Sequence, residues 1–161
     1  MKKLFTFIAI FLLFSACSSD AASSSPTAAR NSAQSGNTPS SETVMKLKIH
    51  VNDTTFTATL NDNSSAKALV ELLQKGDLTL DMEDFSNFEK VADLPVTLPR
   101  NDTPTDTDAG DLILYLGKRI VIYYDKNSWN FTPLGKIDNV NKKRLKQILG
   151  DGNATVTFSV K

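Results

Sequence analysis

The run Lys46-Leu47-Lys48-Ile49-His50-Val51 alternates polar and apolar residues without a break, and Thr55 to Leu60 repeats the pattern with Phe56, Ala58 and Leu60. Successive side chains of a strand point to opposite faces, so each run has one face to bury. Asn52-Asp53 between them is turn chemistry, which predicts a hairpin. His50 falls on the outward face, where a solvated strand residue is the plain reading. The same period recurs at Leu78, Leu80 and Met82, and at Val156, Phe158 and Val160. Asp111 opens LILYL, and Arg119 to Tyr124 reads RIVIYY after a Gly117-Lys118 turn. Their low polarity predicts central strands.

Two stretches carry helical spacing instead. Ala66, Leu69, Val70 and Leu73 form one stripe, with Asn63 or Ser64 as the cap and Gly76 as the stop. Val140, Leu145, Ile148 and Leu149 form another, capped by Asn139 or Asn141 and ended by Gly150. Between these elements, Phe85 to Glu89 reads as irregular and Val91 to Leu98 as a short edge strand ending at Pro99. Arg100 to Gly110 reads as a polar loop, and Asp125 to Phe131 as a loop rich in polar and aromatic residues. Short strands outnumber helices and do not alternate with them. That disfavours a doubly wound α/β fold. It predicts a mostly β protein: a closed antiparallel β-barrel with two short helices plugging or covering its ends.

The N-terminal part has a different character. Met1-Lys2-Lys3 is a positive head, and Leu4 to Phe14 (LFTFIAIFLLF) is apolar except for Thr6. A helix of that length spans about 16 Å, short of the roughly 30 Å needed to cross a membrane. Residues 1–16 therefore read as a secretory signal peptide. Ser18 to Glu42 holds nine serines and five alanines, without one large apolar residue. Nothing there offsets the entropy of ordering a chain, so residues 17–44 read as a flexible tether reaching about 25–30 Å. Residues 45–161 carry 15 Lys+Arg against 16 Asp+Glu, together with the tryptophan and all three tyrosines, and form the one folded domain.

Composition removes several kinds of function. The whole chain has 18 basic and 18 acidic residues, so a nucleic-acid binder driven by bulk electrostatics is excluded. One cysteine and one histidine leave no disulfide framework, no multi-cysteine zinc site and no histidine-rich metal site. No nucleophile elbow or phosphate loop is present. Asp102, Asp106, Asp108 and Asp111 lack the register and closing glutamate of a calcium loop. No metal or cofactor is expected, and the domain reads as a monomer. Lys142, Lys143, Arg144 and Lys146 give one helix a basic face, plainly a solvated one.

Candidate chemistry concentrates in Asn127-Ser128-Trp129-Asn130-Phe131. Trp129 offers a broad apolar face, Asn127 an amide and Ser128 a hydroxyl, a mixture suited to a peptide or sugar-like ligand stacked on a ring. The plainer alternative has Trp129 plugging a barrel end and Asn127 satisfying turn backbone. Glu89, in an irregular segment, either accepts a hydrogen bond from a ligand or caps a local turn.

Two resemblances extend this reading. Leu13-Phe14-Ser15-Ala16-Cys17 resembles the lipobox of bacterial lipoproteins, with Phe14 where that family usually carries leucine. The resemblance implies alkylation of the Cys17 thiol by diacylglycerol, cleavage before Cys17 and acylation of the new amine, palmitate-type chains in a bilayer, and a place in the cell envelope. Ser18 after the cysteine points to the outer membrane. The segments Asp84 to Pro95, Ala109 to Tyr115, Ile120 to Tyr124 and Asn127 to Ile137 together resemble the bacterial cyclophilin-like domain family, over nearly all of Met45–Lys161. That resemblance implies a cyclophilin-type barrel. True cyclophilins are peptidyl-prolyl isomerases, but their Phe-His-Arg signature is absent, since His50 is followed by Val51. A non-catalytic binding module for a small ligand or peptide is therefore expected, with prolyl isomerisation as the alternative. Neither Arg100 nor Arg119 is placed against an apolar pocket by the sequence.

Overall fold

The computed structural model describes residues 44–160. The expected signal peptide at 1–16, the expected lipid attachment at Cys17 and, apart from Val44, the expected tether over 17–44 lie outside the described residues.

The alternating runs pair as a hairpin, β1 (Lys46–Val51) with β2 (Thr54–Leu60), in the register Lys46 to Thr59 and Val51 to Thr54. Leu47, Ile49, Val51, Phe56, Ala58 and Leu60 are all buried. Helix α1 (Ser64–Gln74) follows. Asn63 is its cap, accepting from the Ala66 N–H at 2.8 Å. Strand β3 (Leu78–Phe85) turns through residues 86–88 into β4 (Glu89–Asp93). Then come β5 (Thr103–Thr107), β6 (Asp111–Tyr115), β7 (Arg119–Tyr123) and the eleven-residue β8 (Asn127–Ile137). Helix α2 (Lys142–Leu149), capped by Asn141, and β9 (Ala154–Ser159) complete the chain.

Eight strands close into an antiparallel barrel in the order β2-β1-β9-β3-β4-β7-β6-β8, with β8 returning to β2. The seam is narrow. A side chain at Gly135 would collide with the Thr59 carbonyl oxygen and lie 2.8 Å from Leu60 Cα, so only glycine lets the two backbones pair there. The interior is filled from all sides by Leu47, Ile49, Leu112, Leu114, Ile120, Ile122 and Phe158, joined by Leu69 and Leu73 of α1 and Leu145 and Leu149 of α2. Burial of this kind contributes about 25 cal/mol per Å² of apolar surface.

Three sequence expectations are corrected. Val91 to Leu98 is not an edge strand: β4 occupies Glu89–Asp93 and pairs on one side with β3 and on the other with β7. Arg100 to Gly110 is not wholly loop, because Thr103–Thr107 forms β5. Asp125 to Phe131 is not a loop beyond Lys126, because Asn127 opens β8. The last two corrections share a cause. Residues 127–131 pair with β5 (Thr107 to Asn127, Thr103 to Phe131), so each segment supplies the other's backbone partners. This ribbon extends from the closed ring, since β5 joins no other strand.

β7 has a double character. Ile120 and Ile122 face the interior, while Val121 and Tyr123 belong to a second buried cluster with Ile113 and Phe131 on the outer side of the wall. Phe88, Val91 and Tyr115 pack over that cluster. A barrel wall apolar on both faces needs an outer cover, and here the cover is a partial one made of aromatic rings.

Candidate functional site

The outer cluster forms the base of a cleft of about 350 Å³. Register sets its floor. Val91 lies opposite Val121 on the β4–β7 pair, and Val121 lies opposite Ile113 on β6. Rings line the walls in sequence. Phe85 meets Phe88 edge-on at 5.8 Å, Phe88 stacks on Tyr123 at 6.1 Å, and Tyr123 leans on Phe131 at 5.7 Å. Tyr115 meets Phe131 at 6.1 Å. Pairs at such separations contribute about 0.5–1.5 kcal/mol each beyond their burial.

Trp129 stands at the rim with 65% of its surface exposed, so it does not plug the barrel end. Phe85, on the same cleft, is 55% exposed. Large exposed aromatics beside a concave apolar floor mark a surface that gains by being covered.

The polar groups inside are few and linked. Asn127 is fixed at the head of β8, its N–H donating to Thr107 Oγ1 at 2.9 Å while Thr107 Oγ1 donates back to the Asn127 carbonyl at 3.1 Å. Its side-chain amide donates to the Tyr123 hydroxyl at 3.2 Å. It also accepts from the Ser128 N–H, so part of its capacity does serve local backbone. Tyr123 lies directly opposite Glu89 in the β4–β7 register, with its hydroxyl turned to the Glu89 carboxyl. Burial pushes the Glu89 carboxyl above its ordinary range despite that hydroxyl. Burial, with Glu89 alongside, likewise raises the Tyr123 phenol. Glu89 Oε2 is buried without a hydrogen-bond partner among the described residues. Glu89 caps no turn. The Asn87 N–H is instead held by Asp84 Oδ1 at 3.0 Å.

Of the residues singled out from sequence, Glu89, Asn127, Trp129 and Phe131 line this one cleft. Ser128 does not, because strand alternation sends its hydroxyl to the other face of the ribbon, where it donates to Asp106. Arg119 does line the cleft, which the sequence had not placed there. Its Nε donates to Asp93 Oδ1 at 3.0 Å. Arg100 is bound to Asp102 instead. Tyr115, Val121 and Tyr123 were missed as site residues. The available signal was the unbroken apolar character of LILYL and RIVIYY, which no single-sided strand requires.

The remaining candidates have local partners. His50 Nδ1 sits 3.0 Å from Thr55 Oγ1 on the exposed face of the first hairpin. Asp111 pairs with Lys136 at 2.6 Å, and its other oxygen accepts from the Asp108 N–H. Among the described residues no three acidic, histidine or cysteine side chains are placed to hold one metal ion.

Comparison with known proteins agrees with this architecture. The sequence model of a family described as cyclophilin-like matches residues 49–159. Comparison with curated proteins gives no match.

Proposed function

The chain belongs to the cyclophilin-like family, and from that premise we propose that it is a lipid-anchored binding module. Family membership describes the barrel and leaves the activity to be argued from the site. The cleft beneath Trp129 takes a small ligand or peptide. The observation that carries this reading is the meeting of Glu89, Asn127, Trp129 and Phe131 on one open, ring-lined hollow. An apolar floor with a few convergent polar groups is the usual form of a ligand site. Anchoring follows from the sequence: a signal peptide over residues 1–16, acylation at Cys17, and a tether over 17–44 holding the domain off a bilayer of the cell envelope, in preference the outer membrane. Two or three acyl chains hold firmly, at about 0.8 kcal/mol per buried methylene.

The cleft contains the chain's single tryptophan, which makes the test direct. Saturable quenching of Trp129 fluorescence is expected from at least one compound class in a screen of small ligands and short peptides. A flat response across the screen would overturn the reading.

One observation favours prolyl isomerisation as a second reading. Arg119 stands at the edge of an apolar hollow, where a guanidinium can polarise a prolyl amide. Acceleration of a proline-peptide isomerisation assay, lost in Arg119→Ala, would establish it. A rate equal to buffer would reject it.

A further inference from the structure

The cleft does not end at its own rim. Val91 and Arg119 line it and also line a second, shallower groove, whose remaining walls include Asp81, Glu83 and Asp93. Alternation along β3 and β4 explains the continuity. Val91 faces Glu83 in one register and Val121 in the other, so both concavities share one outer wall. Counted over the two linings, four carboxylates (Asp81, Glu83, Glu89 and Asp93) meet one cation, Arg119. That cation is already held by Asp93. The carboxylates are strung along the wall and not gathered about a point, and no metal cluster occurs among the described residues.

Glu89 gives this charge a direction. One of its oxygens is buried with no donor, beside the stacked faces of Phe88 and Tyr123. A desolvated carboxylate with an unmet acceptor is costly, and a neutral apolar occupant would desolvate it further. A cation brought into the hollow reverses that sign, because the attraction grows as water leaves. Ring faces also favour a cation. The long methylene stem of lysine or arginine suits the floor of Val91, Val121 and Phe131.

We propose that the cleft and its acidic groove bind a basic peptide segment, with one lysine or arginine side chain laid into the ring-lined hollow toward Glu89 and the flanking chain along Asp81, Glu83 and Asp93. This rests on the cleft being the ligand site, and it names the chemistry of the ligand. An acidic segment is rejected by the same wall.

The test uses the full chain and its Trp129 fluorescence. The probes are three capped tripeptides, acetyl-Leu-X-Leu-amide, with X lysine, norleucine or glutamate. The lysine peptide is expected to bind at least about tenfold more tightly than its norleucine counterpart, with the glutamate peptide weakest. Glu89→Gln should lower the lysine-to-norleucine ratio at least about fivefold. Glu83→Gln, on the exposed groove, should lower lysine affinity about two- to threefold, and added salt should narrow the preference. Equal binding of the lysine and norleucine peptides would overturn the charge assignment and leave the cleft as a binding site. Saturable quenching by none of the three, with other ligands still active, would overturn the peptide assignment. Quenching by nothing at all would overturn both readings.

Discussion

Glu89 and Lys90 are neighbours in sequence and sit on opposite sides of the barrel wall. Glu89 looks out into the cleft, and Lys90 is fully buried. The Lys90 ammonium reaches Asp84 at 2.7 Å and the Gly150 carbonyl at 3.0 Å, and also donates to the Gly152 carbonyl. Asp84 accepts in addition from the Tyr124 hydroxyl at 2.6 Å. The cation thus ties the β3–β4 hairpin to the chain leaving α2. Removing one partner of such a pair leaves the other uncompensated, so Lys90→Met is expected to cost about 3 kcal/mol, measured by urea unfolding. Burial alone would raise the Asp84 carboxyl, but hydrogen bonds from Lys90, Tyr124 and the Asn87 N–H hold it below its ordinary 3.8. A lowered carboxyl contributes stability above 3.8 that is lost as pH falls through the folded value, so the variant should also show a flatter acid limb. Glu89 has the opposite sign. Its carboxyl is raised above 4.5, so it opposes folding as pH climbs from 4.5 through the higher folded value. Glu89→Gln should therefore raise the Tm at pH 7 and leave it nearly unchanged at pH 4, a comparison that thermal melts can make.

At the scale of elements, Gly135 decides whether the ring closes. β8 pairs with β2 through Ala58 to Ile137, Thr59 to Lys136 and Leu60 to Gly135. The Asn61 N–H donates across the same seam to the Leu134 carbonyl at 2.9 Å. Gly135→Ala forces these backbones apart, with an expected loss of about 1–3 kcal/mol. Hydrogen exchange at Asn61 should quicken more than at the buried β6–β7 pair. Elements carrying their own periodicity were legible in sequence: the first hairpin, both helices with Asn63 and Asn141 as caps, and β9. β5 was not, because Thr103-Pro104-Thr105-Asp106-Thr107 has turn composition and is a strand only through its register with β8. The first half of β8 was hidden for the reciprocal reason. Its exposed Ser128, Trp129 and Asn130 show no burial alternation. β4 was misread because Glu89 and Lys90 fall in a run that reads as irregular, whereas Lys90 points inward to Asp84, its register partner across the β3–β4 hairpin.

For the whole molecule, a barrel is more legible than its site. Strand count and alternation were enough for the closed antiparallel architecture. Four of the five candidate residues meet because they lie on two strands, β4 and β8, separated by β7 and β6. Arg119, Tyr115 and Tyr123 joined them through registers that sequence alone does not reveal. The proposed lipid anchor makes a prediction at this scale. Cys17→Ala should abolish palmitate labelling and move the protein from the membrane fraction to the soluble one, with the domain's circular dichroism unchanged. Retention in the membrane fraction would mean a different anchor.

The two faces of β7 have a practical consequence. Odd-numbered positions 119, 121 and 123 meet whatever enters the hollow, while Ile120 and Ile122 meet only the interior. Substitutions at the odd positions reach the hollow and the outer cluster of Ile113, Val121, Tyr123 and Phe131, and leave the interior packing of Ile120 and Ile122 in place.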